Sequence, residues 1–164
     1  MPKLKIQMWP APVLARVCEP VGEIDAGIRT LASDMLETMY AAEGRGLAAP
    51  QVGHALRLFV MDAAWKERAP DPVICINPEI TWTSPERAAH DEGCLSIPGI
   101  AARVERPAQI HMTWTDIDGR AQEADLEGFA AICAQHEVDH LDGIVTLDRL
   151  DRQTRQALIE EYSA

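Results

Sequence analysis

Near the end of the chain, Gln135-His136-Glu137-Val138-Asp139-His140 brings two imidazoles and two carboxylates into six residues. On a helix, positions i and i+4 stack one above the other, so His136 and His140 can aim both rings at one ion. Glu137 is offset by one position and reaches a water on that ion rather than the ion itself. In such an arrangement the metal lowers the pKa of the water while the carboxylate carries its proton, which is hydrolytic chemistry. Taken alone, the segment fits either a metal site or an ordinary polar helix surface. Asp139 reads as a salt-bridge partner elsewhere or as an acceptor that orients a ligand histidine.

A catalytic site of this kind needs a third protein ligand and one open position. No histidine follows His140, so the extended histidine pattern of the metzincin proteases is absent. Upstream, Cys94 lies in Glu92-Gly93-Cys94-Leu95-Ser96, where Gly93 frees the backbone for a close approach. Cys94 is either a thiolate ligand or a small buried hydrophobe. A third segment, Gly44-Arg45-Gly46-Leu47-Ala48-Ala49-Pro50-Gln51, is on its own no more than a helix end and a turn.

Together, GRGLAAPQ, EGCLS and QHEVDHLDG resemble the three signature motifs of the peptide deformylases, in that family's order and approximate spacing. INPEI (76–80) and VTLDRL (145–150) extend the resemblance over nearly the whole chain. It implies an enzyme that hydrolyses the N-formyl group from the initiating methionine of a nascent polypeptide and releases formate. It further implies that Cys94, His136 and His140 bind one divalent metal ion. Glu137 would be the general base and then the proton donor to the departing amine. Gln51 and the backbone N–H of Leu95 would stabilise the developing oxyanion, each such donor contributing about 3 kcal/mol.

Ligand chemistry alone names zinc for a Cys-plus-two-His set. The resemblance names ferrous iron instead, with zinc, nickel or cobalt as substitutes in purified protein. Gly46, Ile132 and Cys133 would border the methionine side chain, and plain helix core is the alternative for the latter two. Arg45 departs from the family pattern, which has a branched aliphatic residue between the two glycines. It reads as a substrate contact that alters preference or as a solvent-facing side chain. Phe129-Ala130-Ala131 and Ala134 depart as well, where bulkier aliphatics are usual, and this bears on packing and pocket volume. Two alternatives accompany this reading. One is a deformylase-like paralogue acting on another N-acylated peptide, and the other is an inactive binding protein of the same fold. The presence of Glu137, Gln51 and all three candidate ligands speaks against the second.

These residues need a scaffold. Ile24, Ile28, Leu31, Met35, Leu36 and Met39 follow the spacing of one buried helix face, predicting a helix over 24–42 that Gly44 and Gly46 end. Leu56–Met61 reads as a buried strand, and 73–76 and 80–83 as β segments separated at Pro78 by a bend or an edge. Ile110, Met112 and Trp114 alternate with polar residues, and Asp118-Gly119 signals a hairpin after them. Helices follow over 128–141 and 151–162, the second docking through Leu150, Leu158 and Tyr162. The order predicts an α+β fold in which mixed or antiparallel sheets surround a central HExxH helix, with a helix at the C-terminal end.

At 164 residues the chain has the length of one domain, taken as a single catalytic domain over 1–164. Its 26 acidic against 15 basic residues, a net charge of -11, exclude a nucleic-acid-binding surface, which needs clustered Lys and Arg. No apolar run approaches the ~18 residues of a membrane span. The two lysines at the start are followed by Pro10 and Pro12, a pattern unlike a secretory signal. Four well-separated cysteines (Cys18, Cys75, Cys94, Cys133) suit free thiols in a reducing cytoplasm. The expected partner is a formyl-methionyl nascent peptide. It would be met by a monomer in transient proximity to the ribosome, without direct contact with nucleic acid or membrane.

Overall fold

In the computed structural model, residues 4–163 are described; Lys3, one of the two lysines at the start, lies outside them. A first helix, α1 (Ala26–Ala41), begins where the Asp25 carboxylate accepts the Ile28 N–H at 2.9 Å. Its inward face, Leu31, Met35 and Met39, packs against Leu47, Leu58, Val60 and Ile76.

The helix does not end on its glycines. The left-handed position is taken by Glu43 (φ 59°), and the Gly44 N–H closes the turn on the Met39 carbonyl. Gly44 and Gly46 serve close approach instead. A Cβ on Gly44 would meet Leu95 Cδ1 at 2.7 Å, and one on Gly46 would meet Glu137 Oε2 at 2.5 Å. The segment read as a loop is in fact a strand, β1 (Gly46–Ala48), at the edge of a five-stranded sheet.

That sheet continues through β2 (Leu58–Met61), β3 (Val73–Thr83), β6 (Gln109–Thr115) and β7 (Ala121–Glu127), in that order and antiparallel throughout. Pro78 does not split β3 into two segments. It lies inside one eleven-residue strand, at a register shift between Ile76 and Glu79, where β3 passes from pairing with β2 to pairing with β6. An irregular register accommodates the missing N–H without ending the strand.

The remaining strands, β4 (Arg87–Cys94) and β5 (Ile97–Pro107), form a separate antiparallel hairpin. Between this hairpin and the five-stranded sheet lies α2 (Gly128–Leu141), every residue of which from Ala131 onward is buried. Cys133, Ala134, Val138 and Leu141 pack toward Phe59, Cys75, Ile110 and Met112 of the sheet. The small residues Ala131 and Ala134 keep the helix close to it. The last helix, α3 (Arg152–Ser163), docks Leu158, Ile159 and Tyr162 on Leu14, Ile97, Ile100 and Leu147, and the Tyr162 hydroxyl donates to the Trp9 carbonyl at 3.1 Å. Among the described residues the architecture is thus α+β, three α-helices with antiparallel sheets.

Candidate metal centre

Three elements converge on one point. Helix α2 carries His136 and His140 one turn apart, their ring centroids 5.0 Å from each other. The last residue of β4, Cys94, brings its thiol to 3.5 Å from His140 Nε2. One donor atom from each of Cys94, His136 and His140 lies within 4.8 Å of the other two. In a tetrahedral site with bonds of about 2.1 to 2.3 Å, donors stand about 3.5 Å apart, so one ion fits this set after a small contraction. Two of the donors are imidazoles and one a thiol, a combination suited to zinc or iron and unlike the all-oxygen shells of calcium or magnesium.

Glu137 lies one position along the helix and is almost entirely buried. Its Oε1 has no hydrogen-bond partner among the described residues, and Oε2 lies where only a glycine at position 46 leaves room. Burial pushes this carboxyl up to about 7, with Glu92 and Asp139 adding to the shift and His136 and Arg106 opposing it. The two imidazoles are driven apart. Burial, the neighbouring His136 charge and Arg106 pull His140 well below its ordinary value. For His136 burial acts in the same downward sense, but Glu137, Cys94 and Glu92 outweigh it and push the group up.

Gln51 enters from the short 3-10 turn Ala49–Val52 that follows β1. Its Oε1 accepts the Ala48 N–H at 2.9 Å, which fixes the amide so that Nε2 points at Cys94 Sγ (3.6 Å) and Ser96 Oγ (3.1 Å). Leu95 sits in the tight turn between β4 and β5. Gln51, Cys94, Leu95, His136 and Glu137 line one cavity of about 480 Å³. Ile132, Cys133, Leu95, Ile97 and Ile100 give it an apolar wall. Ile132 and Cys133 therefore border the cavity and belong to the buried core at once, so the two readings of them are not exclusive.

Arg45 reaches neither freely into solvent nor toward the donors. Its guanidinium forms a two-pronged pair with Glu67 (2.7 and 2.8 Å), donates to the Ala63 carbonyl at 2.7 Å and lies 5.2 Å from the centre of the Phe129 ring.

Behind the helix is a network that the sequence reading did not anticipate. His136 Nδ1 is 3.0 Å from Glu92 Oε1, and Glu92 is clasped by Arg106 through two bonds of 2.7 and 2.9 Å. Arg106 continues to Asp139 at 2.8 Å, and Asp139 to Arg149 at 2.6 and 3.0 Å. Asp139 thus forms salt bridges instead of holding a histidine directly. Burial alone would raise Glu92, yet His136 and Arg106 hold it below the ordinary carboxylate value. A signal for Arg106 existed. On β5 the inward positions run Ile100, Ala102, Val104, Arg106, and a cation ending an apolar alternation requires a buried anion beside it.

The family model described as Polypeptide deformylase matches residues 3–156. The peptide deformylase of Mesorhizobium japonicum is 44% identical over 162 residues, covering 99% of this chain and 92% of that protein. A protein of Brucella melitensis named peptide deformylase-like is 44% identical over 157 residues, covering 96% and 94%. Among solved structures, the Synechococcus elongatus peptide deformylase in complex with actinonin superposes with a TM-score of 0.94 at 37% identity, covering 99% of this chain and 89% of that one.

Proposed function

This chain belongs to the polypeptide deformylase family, and on that premise we propose that its Cys94, His136 and His140 hold one catalytic divalent ion beside Glu137. It is a hydrolase that removes the N-formyl group from newly made polypeptides. The family is metal-dependent, and the Cys94/His136/His140 cluster is the donor set available for the ion. When bound, the ion polarises the formyl oxygen and acidifies a water molecule.

The chain's own residues do the rest. Glu137 Oε1, buried and unpartnered, takes a proton from water as oxygen adds to the formyl carbon. It returns that proton to the peptide nitrogen as the C–N bond breaks, leaving formate and a free amine. Gln51 Nε2 and the Leu95 N–H donate to the formyl oxygen as charge builds on it. Gly46 keeps the wall beside Glu137 clear, and Ile132 and Cys133 receive the methionine side chain. The observation that carries this reading is the buried, unpartnered Glu137 Oε1 on the same helix as two of three converging metal-type donors.

The native ion is ferrous iron, for which zinc, nickel or cobalt can stand in; imidazole and thiolate donors accept all four. The enzyme acts as a monomer in the cytoplasm on formyl-methionyl nascent peptides, within transient reach of the ribosome. Its 26 acidic against 15 basic residues support recognition of the peptide end over electrostatic docking on RNA. Among the described residues no helix is long and apolar enough to cross a membrane.

The test is anaerobic purification with metal analysis, followed by formate release from formyl-Met-Ala. Metal-loaded, folded protein releases formate. Protein that releases none, or that cleaves acetyl-Met-Ala faster than the formyl peptide, overturns the proposal.

A further inference from the structure

The mouth of the cavity carries a composite surface that the hydrolytic chemistry leaves unused. Along the pocket-facing side of α2, Cys133 and Phe129 follow Glu137 at intervals of four residues, leading from the donor cluster toward the helix start. At about 1.5 Å per residue, Phe129 stands roughly 10 Å along the axis from His136, beyond the stretch that a methionine side chain beside Ile132 and Cys133 would occupy. Phe129 is 51% exposed, in the first turn of a helix that is buried only from Ala131 onward.

One part of the ring is covered by the Arg45 guanidinium, which is itself immobilised by Glu67 and the Ala63 carbonyl. Two consequences follow from that geometry. The planar cation and the aromatic ring make a rigid platform at the rim. The positive charge of Arg45 is matched by Glu67, so it offers little to an acidic ligand. Lys66, at the same rim, lies 5.6 Å from the centre of the Trp65 ring and is turned toward a neighbour of its own.

We propose that the Arg45–Phe129 platform, held in place by Glu67, contacts the residue that follows the formyl-methionine and selects for an aromatic side chain there. This rests on the deformylase reading of the same pocket. An aromatic side chain finds a flat apolar and π-rich partner whose ordering has been settled by the protein itself. A small side chain leaves the platform wet. An acidic one meets a guanidinium that already has a carboxylate, next to the exposed acid of Glu43.

The experiment compares kcat/KM for formyl-Met-X peptides, with X as Phe, Trp, Ala, Glu or Lys, on the full-length, metal-loaded enzyme. Each variant is normalised to its own X = Ala peptide, and metal content and thermal unfolding verify that it is folded. Wild type is expected to favour X = Phe or Trp over Ala by about fivefold. F129A and R45I each flatten that preference. E67A frees the guanidinium, so X = Glu gains roughly threefold over Ala relative to wild type. Should F129A misfold, R45I and E67A, which alter side chains at the rim, still decide the matter. A flat wild-type profile overturns the proposal, as does an aromatic preference that survives R45I or F129A, or an E67A enzyme with no gain for X = Glu. Absence of formate from every peptide is a different failure and removes the deformylase reading itself.

Discussion

The two sides of α2 handle polar groups in opposite ways. On the pocket side, Glu137 Oε1 is buried without a hydrogen-bond partner among the described residues. On the far side, Arg106, Asp139 and Arg149, joined by Glu92 from the cavity wall, saturate one another through six short contacts, counting the one to His136. A buried unpaired carboxylate oxygen costs free energy, about 1–3 kcal/mol for an ordinary polar group and more for a charged one. It persists where something other than stability is served. The far side, by contrast, meets the requirement that buried charge be paired and hydrogen-bonded. One helix therefore divides into a face left open for reaction and a face closed to hold it in place.

Variants on the open face should have the largest effects. Cys94→Ala removes one of three donors, and metal content by elemental analysis should fall to background, taking formate release with it. A variant with full metal content would take Cys94 out of the ligand set. Glu137→Gln preserves size and should retain the metal, while kcat falls about 10²- to 10⁴-fold. Activity near wild type in that variant would place the proton carrier elsewhere.

Gly46→Ala comes next. Its new Cβ would stand 2.5 Å from Glu137 Oε2 and 2.9 Å from Cys133 Sγ, so the carboxylate must move. Displacements near 1 Å at reacting groups lower rates by about 10²-fold, so kcat should drop by about ten- to a hundredfold with the metal retained. An unaltered kcat would mean that Glu137 has slack its burial does not suggest.

The closed face is probed by Arg106→Met. Arg106 is only 4% exposed, and its removal strands Glu92 without its two-pronged partner. Breaking such a buried pair costs about 3–5 kcal/mol, readable as a lowered denaturation midpoint. Because Glu92 is also the neighbour of His136 Nδ1, metal affinity in a competition titration should weaken about 10- to 100-fold. A variant with lower stability but unaltered affinity would reduce the network to scaffolding.

This division was only half legible in the sequence. The i, i+4 histidines, the offset glutamate and the cysteine in its glycine-flanked segment announce the open face, because ligand chemistry restricts residue type and spacing. The closed face leaves a weaker trace. Glu92 and Arg106 are 14 residues apart on paired strands, and Asp139 and Arg149 lie on later elements, so no local period connects them. The fold shows the same asymmetry. Helix α1 and strand β6 are readable from one-sided alternation. Helix α2, buried on all sides from Ala131, has little periodicity to read, and only its polar residues mark it. The β4–β5 hairpin and the one-strand nature of β3 escaped because pairing partners, and not local propensity, decide where a strand continues past Pro78.

His111 isolates what burial contributes, since it is paired as closely as the residues behind α2. It lies on β6 opposite Asp125 of β7, with Nδ1 2.7 Å from the carboxylate and Nε2 3.6 Å from Glu123, yet this pair stands in solvent. Asp125 is the main cause of a His111 value raised above 6.5, with Glu123 assisting. A raised folded-state value means that the pair stabilises fully below the unfolded value and is lost as pH climbs through the folded one. Wild type and His111→Gln should therefore differ more in urea midpoint at about pH 5.5 than at about pH 8.5, with wild type the one that loses ground on raising the pH. The difference should be far smaller than that of Arg106→Met, because water screens an exposed pair and competes for both partners. Equal effects at the two sites would mean that pairing alone matters, and that the contrast between the faces of α2 is one of geometry without energetic weight.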